Sequence, residues 1–229
     1  MIHVTALRSA KRIVRRCLAI ALVFGCVIAA QAAETGTANR SASADAARMT
    51  DLQVRMMPFG AIFDMLAKAD PNWPMQEKPD AVTPKQLSCL RDELSTAGYR
   101  RYKYVQVEAY IAANPSRVKS EIALLEQGAA QLFGNLVLAG ADSERSGIAT
   151  DPATVLKDAT PDQMSSFMTF FSDPNHAELR KLSGLGDAIS PGKSASENES
   201  AGEQLGSTIT LQVMLKAMST CGVETSALL

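Results

Sequence analysis

Residues 160–182 read TPDQMSSFMTFFSDPNHAELRKL, and this stretch decides the fold class. Thr160 offers a side-chain acceptor, Pro161 has no N–H to lose in a first helical turn, and Gln163 can reach back to the cap, so a helix starts here. Met164, Phe167, Met168 and Phe171 follow at i, i+3, i+4 and i+7, which places them on one face to be buried. Asp173 and Pro174 repeat the cap-then-proline signal, and Leu179 and Leu182 give the apolar spacing of a second short helix. Two helices meeting at a tight corner are the predicted unit.

Working outward, Thr83-Pro84-Lys85-Gln86 repeats the same start, with Leu87, Leu90 and Leu94 as the inner stripe, and Asp151-Pro152 begins a short helix through Val155 and Leu156. The match between TPKQLS and TPDQMS is also what capping chemistry alone produces, so it does not establish a duplication. From Met49 to Ala69 the apolar positions Leu52, Met56, Phe59, Ile62, Phe63 and Leu66 keep a helical rhythm that Pro58 and Gly60 interrupt, predicting one broken helix. Residues 70–82 carry three prolines and the only tryptophan. Trp73 there is read as a plug folded over the core, with an exposed ligand contact as the alternative. Tyr104, Val107 and Ile111 fit a helix face, while Tyr-Lys-Tyr and Val-Gln-Val also fit strand alternation. Val118, Ile122, Leu125, Ala129, Leu132, Phe133 and Leu136 predict a long core helix. Residues 183–204 are rich in Ser, Gly and Glu and read as a mobile loop. The last helix is expected from about Leu205 to Cys221, with Ile209, Leu211, Leu215 and Met218 apolar and Gly222 as its stop.

The N-terminus reads as an export signal over residues 1–32. Arg8, Lys11, Arg12, Arg15 and Arg16 come without an acid, an apolar run follows from Cys17 to Ala30, and Ala30-Gln31-Ala32 is a small-x-small cleavage site. The run is shorter than the ~20 residues of a spanning helix, so stable membrane insertion after processing is not expected. A retained anchor, a lipoprotein box at Val23-Phe24-Gly25-Cys26 and a twin-arginine signal are the lesser readings. Residues 33–48 read as a flexible lead-in to a helical domain over 49–229. Removing the signal takes away five of the 23 basic residues and leaves 18 against 24 acidic groups, a formal charge of −6. That balance argues against a nucleic-acid or anionic-membrane binder.

Two cysteines remain in the processed chain, Cys89 and Cys221, and an oxidising compartment favours their pairing. Two buried free thiols are the alternative. The absence of C-x-x-C spacing disfavours a redox-active pair.

The stretch at 160–182 resembles the C-terminal signature of a family of exported bacterial helical proteins known only as domain of unknown function 2059. Thr160 and Gln163 match its helix start, Phe170-Phe171-Ser172-Asp173-Pro174-Asn175-His176 lies on its Phe-Tyr-x-Ser-Pro-x-Gly corner, and Lys181-Leu182 matches its basic-apolar close. Asp173 replaces a Ser with another capping residue, whereas His176 stands where the family has Gly. The resemblance implies an exported helical fold and no assigned activity.

His176 is the only histidine after processing. That inventory disfavours a His-rich metal site, a Cys-His zinc site and a Ser-His-Asp triad with a spare histidine, and His176 itself reads as a first-turn surface residue. Asp92-Glu93 and the group Glu197, Glu199 and Glu203 could serve glycosidic acid–base work or calcium binding, but helix-surface and loop solvation explain them. No cofactor or metal is expected. The cluster Tyr99, Arg100, Arg101, Tyr102, Lys103 and Tyr104 is the candidate contact patch, since phenols and guanidinium groups together stack on and hydrogen-bond sugars, peptides or anionic polymers. Its alternative is a helix whose tyrosines cover the core edge.

The sequence therefore predicts an all-α, single-domain bundle of about six helices with proline-capped corners and one disulfide. The leading functional expectation is a non-catalytic periplasmic or secreted protein that binds another envelope protein or polymer. A carboxylate-based cell-wall glycan hydrolase and a periplasmic inhibitor or immunity-type protein are the alternatives.

Overall fold

In a computed structural model, which describes residues 42–186, 188, 189 and 192–228, all regular structure is helical and no strand occurs among the described residues. The strand alternative for Tyr102 to Val107 is thereby excluded. The signal segment and the first part of the lead-in, residues 1–41, lie outside the described residues.

Helix α1 covers 42–56 and puts Ala46, Met49, Leu52 and Met56 into the core. The second half of the lead-in is thus helical, a correction that follows from its alanines, the strongest helix formers. Met57 and Pro58 break the chain as expected, and α2 follows over Phe59–Ala69. Trp73, in the proline-rich connection after it, is buried with its ring 5.6 Å from that of Phe63, which settles it as a core plug.

Thr83 starts α3, Pro84–Leu94, through a complete capping box with Gln86. Ser95 caps α4, Thr96–Ala113, whose buried side carries Tyr99, Lys103, Val107 and Tyr110. The expected long core helix is two helices, α5 over Val118–Leu124 and α6 over Ala130–Ser146, joined by a widened turn at Leu125–Ala129. Gly128 makes the break: its φ is +142°, and a Cβ there would lie 2.8 Å from the Gln163 Cα. The residue is therefore fixed both by backbone conformation and by the close passage of the chain at Gln163. The combined stretch Val118–Ser146 is long and apolar enough to cross a membrane, but Val118, Ile122, Leu125, Ala129 and Phe133 are spent on the core.

Asp151 caps the short α7, Pro152–Leu156. Helix α8, Pro161–Ser172, starts at the capping box of Thr160 and Gln163 and packs on the widened turn. Its buried residues are Ser166, Phe170 and Phe171, while Met168 is 45% exposed, so the helix is rotated from the expected face. Phe170 marks the rotation, and Phe171 keeps its inward place with its ring 4.9, 5.0 and 5.6 Å from those of Phe170, Phe167 and Phe133. The corner then forms as the sequence spells it: Asp173 caps the single turn Pro174–His176, and α9 runs over Ala177–Leu182. Buried Arg180 closes it by donating from one guanidinium nitrogen to the carbonyls of Phe170 at 2.8 Å and Asp173 at 3.0 Å. The bond to Phe170 answers an orphan carbonyl in the last turn of α8, and the Asp173 carbonyl also accepts from the His176 N–H at 3.0 Å.

The segment expected as a mobile loop contains buried Ser183 and Leu185, and α10, Ala195–Cys221, starts well before Leu205. A third capping box, Ser194 with Glu197, sets that start. Ile209, Val213, Ala217 and Met218 are the buried stripe of α10, while the apolar Leu211 and Leu215 are exposed. Helix α10 packs along α3, where the Cys89 and Cys221 sulfurs are bonded across a Cα–Cα distance of 5.7 Å. Among the described residues the helix count exceeds the expected six in part because Pro58 and Gly128 fully divide stretches that apolar spacing runs together.

Candidate functional site

The six residues of the expected patch are consecutive on α4, and a helix turns about 100° per residue, so they cannot share a face. The structure divides them accordingly. Tyr99 is fully buried, edge-on to Phe59 and stacked on Tyr102, and burial pushes its phenol well above the usual range. Lys103 is 4% exposed on the same side. Arg100 turns outward to pair with Asp51 at 2.6 Å, and Arg101 pairs with Asp92 at 2.7 Å and Glu93 at 2.9 Å. Those pairs also account for the Asp92-Glu93 carboxylates, while Glu197 serves the cap of α10. Tyr104 is half-buried against the core. The segment is scaffold over most of its circumference, and only Tyr102 and Lys103 face a concavity.

That concavity is an open groove of about 360 Å³ between α4, α9 and α10. Tyr102, Lys103 and Gln106 form one wall, Glu178 and Lys181 the second, and Gln212 the third, with Leu182 and Ile209 supplying apolar contact. Gly184 allows the closure, since a Cβ there would sit 2.9 Å from the Ile209 Cδ1. Lys103 Nζ donates to Gln106 Oε1 at 3.1 Å and to the Leu182 carbonyl at 2.9 Å, both neutral acceptors. Burial pushes its ammonium down to about 8. Lys181 by contrast is paired with Glu178 at 2.7 Å.

Behind the groove lies a polar cluster that no local pattern announces. Tyr110, at the groove wall, donates its hydroxyl to Glu121 Oε2 at 2.6 Å, and Glu121 is 1% exposed. Burial first, then that hydrogen bond, pushes the Tyr110 phenol upward, so it stays a donor across the neutral range. Arg117 approaches Glu121 Oε1 at 3.3 Å without hydrogen-bond alignment. The His176 ring, its side chain 14% exposed, lies 4.0 Å from Glu121 and 3.9 Å from Asp173. His176 is therefore not the surface residue expected: its turn folds it onto α5. Among the described residues no group of three or more His, Cys, Asp or Glu side chains is placed to hold a metal ion.

The protonation of Lys103 makes the groove visible in stability. The unfolded chain keeps this proton up to about pH 10.5 and the folded chain releases it near 8. Between those values the unfolded state binds more protons, so stability rises with pH, and the protonated form below pH 8 costs the fold about 2 to 3 kcal/mol. The expected result is that the urea stability of the wild type gains about that much on Lys103→Met between pH 7 and pH 10.5. A pH-independent difference would refute it. Taking the difference cancels Tyr99 and Tyr110, whose raised values pull stability the other way above pH 10.

Comparison of the chain with family models, with curated proteins and with solved structures finds no match.

Proposed function

We propose that this is an exported, non-catalytic interaction protein that binds another envelope protein or polymer in the groove between α4, α9 and α10. The observation that carries the reading is the lining. An aromatic ring at Tyr102, two amides at Gln106 and Gln212 and two ammonium groups at Lys103 and Lys181 surround a space of about 360 Å³. Such a set recognises a ligand by stacking, hydrogen bonding and charge. The acid-free basic start, the apolar run and Ala30-Gln31-Ala32 support export, as does the resemblance of residues 160–182 to an exported family.

A photo-crosslinking residue at Gln212 is expected to capture one partner in the native envelope. The same residue at Val105, 67% exposed on α4, serves as the control and is expected to capture none. Adducts from Val105 and none from Gln212 would reject the groove. Cleavage of peptidoglycan by the purified chain, lost on replacing one Asp or Glu, would instead establish the hydrolase alternative.

A further inference from the structure

We infer that the groove binds a peptide through a carboxylate seated on Lys103 Nζ, an inference that rests on the groove being the binding site. Charge accounting supports an anion. Lys181 and Glu178 answer each other at 2.7 Å, which leaves Lys103 as the uncompensated charge of the lining. Its two acceptors, the Gln106 amide oxygen and the Leu182 carbonyl, are neutral, and no carboxylate of the described residues lies within ion-pair distance of it. An ammonium has three hydrogens, so one remains to donate. A buried cation without a counter-ion is costly to the fold, and a ligand carboxylate supplies the missing charge at the place where it has most effect.

The lining also favours a peptide monoanion. One net positive charge is balanced by one carboxylate, whereas a dianion would meet Glu178 on the opposite wall. The Gln106 and Gln212 amides can donate to and accept from peptide units, and Leu182 and Ile209 offer apolar contact to a small side chain. The Tyr110 hydroxyl is committed to Glu121 and takes no part.

Because the folded Lys103 releases its proton near 8, carboxylate affinity should fall as pH rises past that value. The other titratable groups facing it are Tyr102 and Tyr110 from α4 and Glu178 and Lys181 from α9, while the α10 contribution, Ile209 and Gln212, is uncharged.

The test is calorimetric titration of the purified chain with N-acetyl-alanyl-alanine, its C-terminal amide and glucuronic acid. The expected result is binding of the peptide acid, at least tenfold weaker binding of the amide, and weakening of the acid by about fivefold from pH 8 to pH 9. Lys103→Gln, which keeps a donor for Leu182, should reduce binding of the acid to the level of the amide. The Lys103 ammonium should also shift and gain a higher titration midpoint on adding the peptide acid, read by NMR in the wild type without any substitution. Equal binding of acid and amide, binding of glucuronic acid alone, or an unmoved Lys103 signal would each overturn the inference. Capture of a partner from Gln212 together with failure of these titrations would remove the carboxylate and leave the binding groove. Lack of capture at Gln212 would count against the groove itself.

Discussion

The Cys89→Ser, Cys221→Ser double variant should unfold in urea at about 3 to 5 kcal/mol lower stability than the oxidised chain. The residues lie 132 apart in sequence. A cross-link closing a loop of that length removes unfolded-state entropy worth up to about 5 kcal/mol, and native strain or residual unfolded structure takes some of it back. The bond joins the middle of α3 to the last turn of α10, and Gln86 adds a second tie by donating to the Gly222 carbonyl at 2.8 Å. The Ile209, Val213, Ala217 and Met218 stripe is buried independently of the sulfur bond and should hold α10 after reduction. The reduced chain should therefore still fold, with hydrogen-exchange protection lost first at the end of α10. Identical urea midpoints for the oxidised chain and the variant would show that the covalent tie contributes nothing.

What was legible in the sequence was the chemistry that acts over a few residues. The boxes at Thr83 and Thr160, the Asp151 cap, the break at Pro58 and the Asp173 corner all stand where the local pattern put them, because donor and acceptor sit within one turn. The choice of buried face was less legible. Helix α8 offered Met164, Phe167, Met168 and Phe171 on one side, yet Phe170 is fully buried and Met168 is out, because the Gly128 turn and Phe133 decide which side is covered. In α10 the apolar positions Leu211 and Leu215 stay exposed, and Val213 and Ala217, which the sequence reading did not single out, are buried. An apolar residue on the sequence does not say whether a neighbour will reach it. The six residues of the tyrosine-basic patch do not form one surface for a simpler reason, since adjacency along a helix is not adjacency on its surface. Lys103 and Tyr102 survive from it only because α9 and α10 arrive to make a groove.

Replacing Glu121 by Ala should cost about 3 to 4 kcal/mol, the lower part of the range for breaking a buried charged pair. Three groups lose their partner at once: the Tyr110 hydroxyl loses its acceptor at 2.6 Å, Arg117 loses the carboxylate at 3.3 Å, and His176 loses the negative group beside its ring. Arg117 moderates the loss, because its side chain is 34% exposed and water can take over part of the solvation. Glu121→Gln separates the contributions, since an amide oxygen still accepts from Tyr110 while the charge is gone, and about 1 to 2 kcal/mol should be lost. Tyr110→Phe should cost about 1.5 to 3 kcal/mol, the range for a hydrogen bond to a charged group. Combining Tyr110→Phe with Glu121→Ala should cost clearly less than the sum, since the two share one bond. The only local hint of this cluster was the i, i+4 spacing of Arg117 and Glu121, an ordinary surface arrangement until α4 and the His176 turn close over it. Strict additivity in the double variant would mean that Glu121 supports α5 by charge alone and that Tyr110 is free to turn toward the groove.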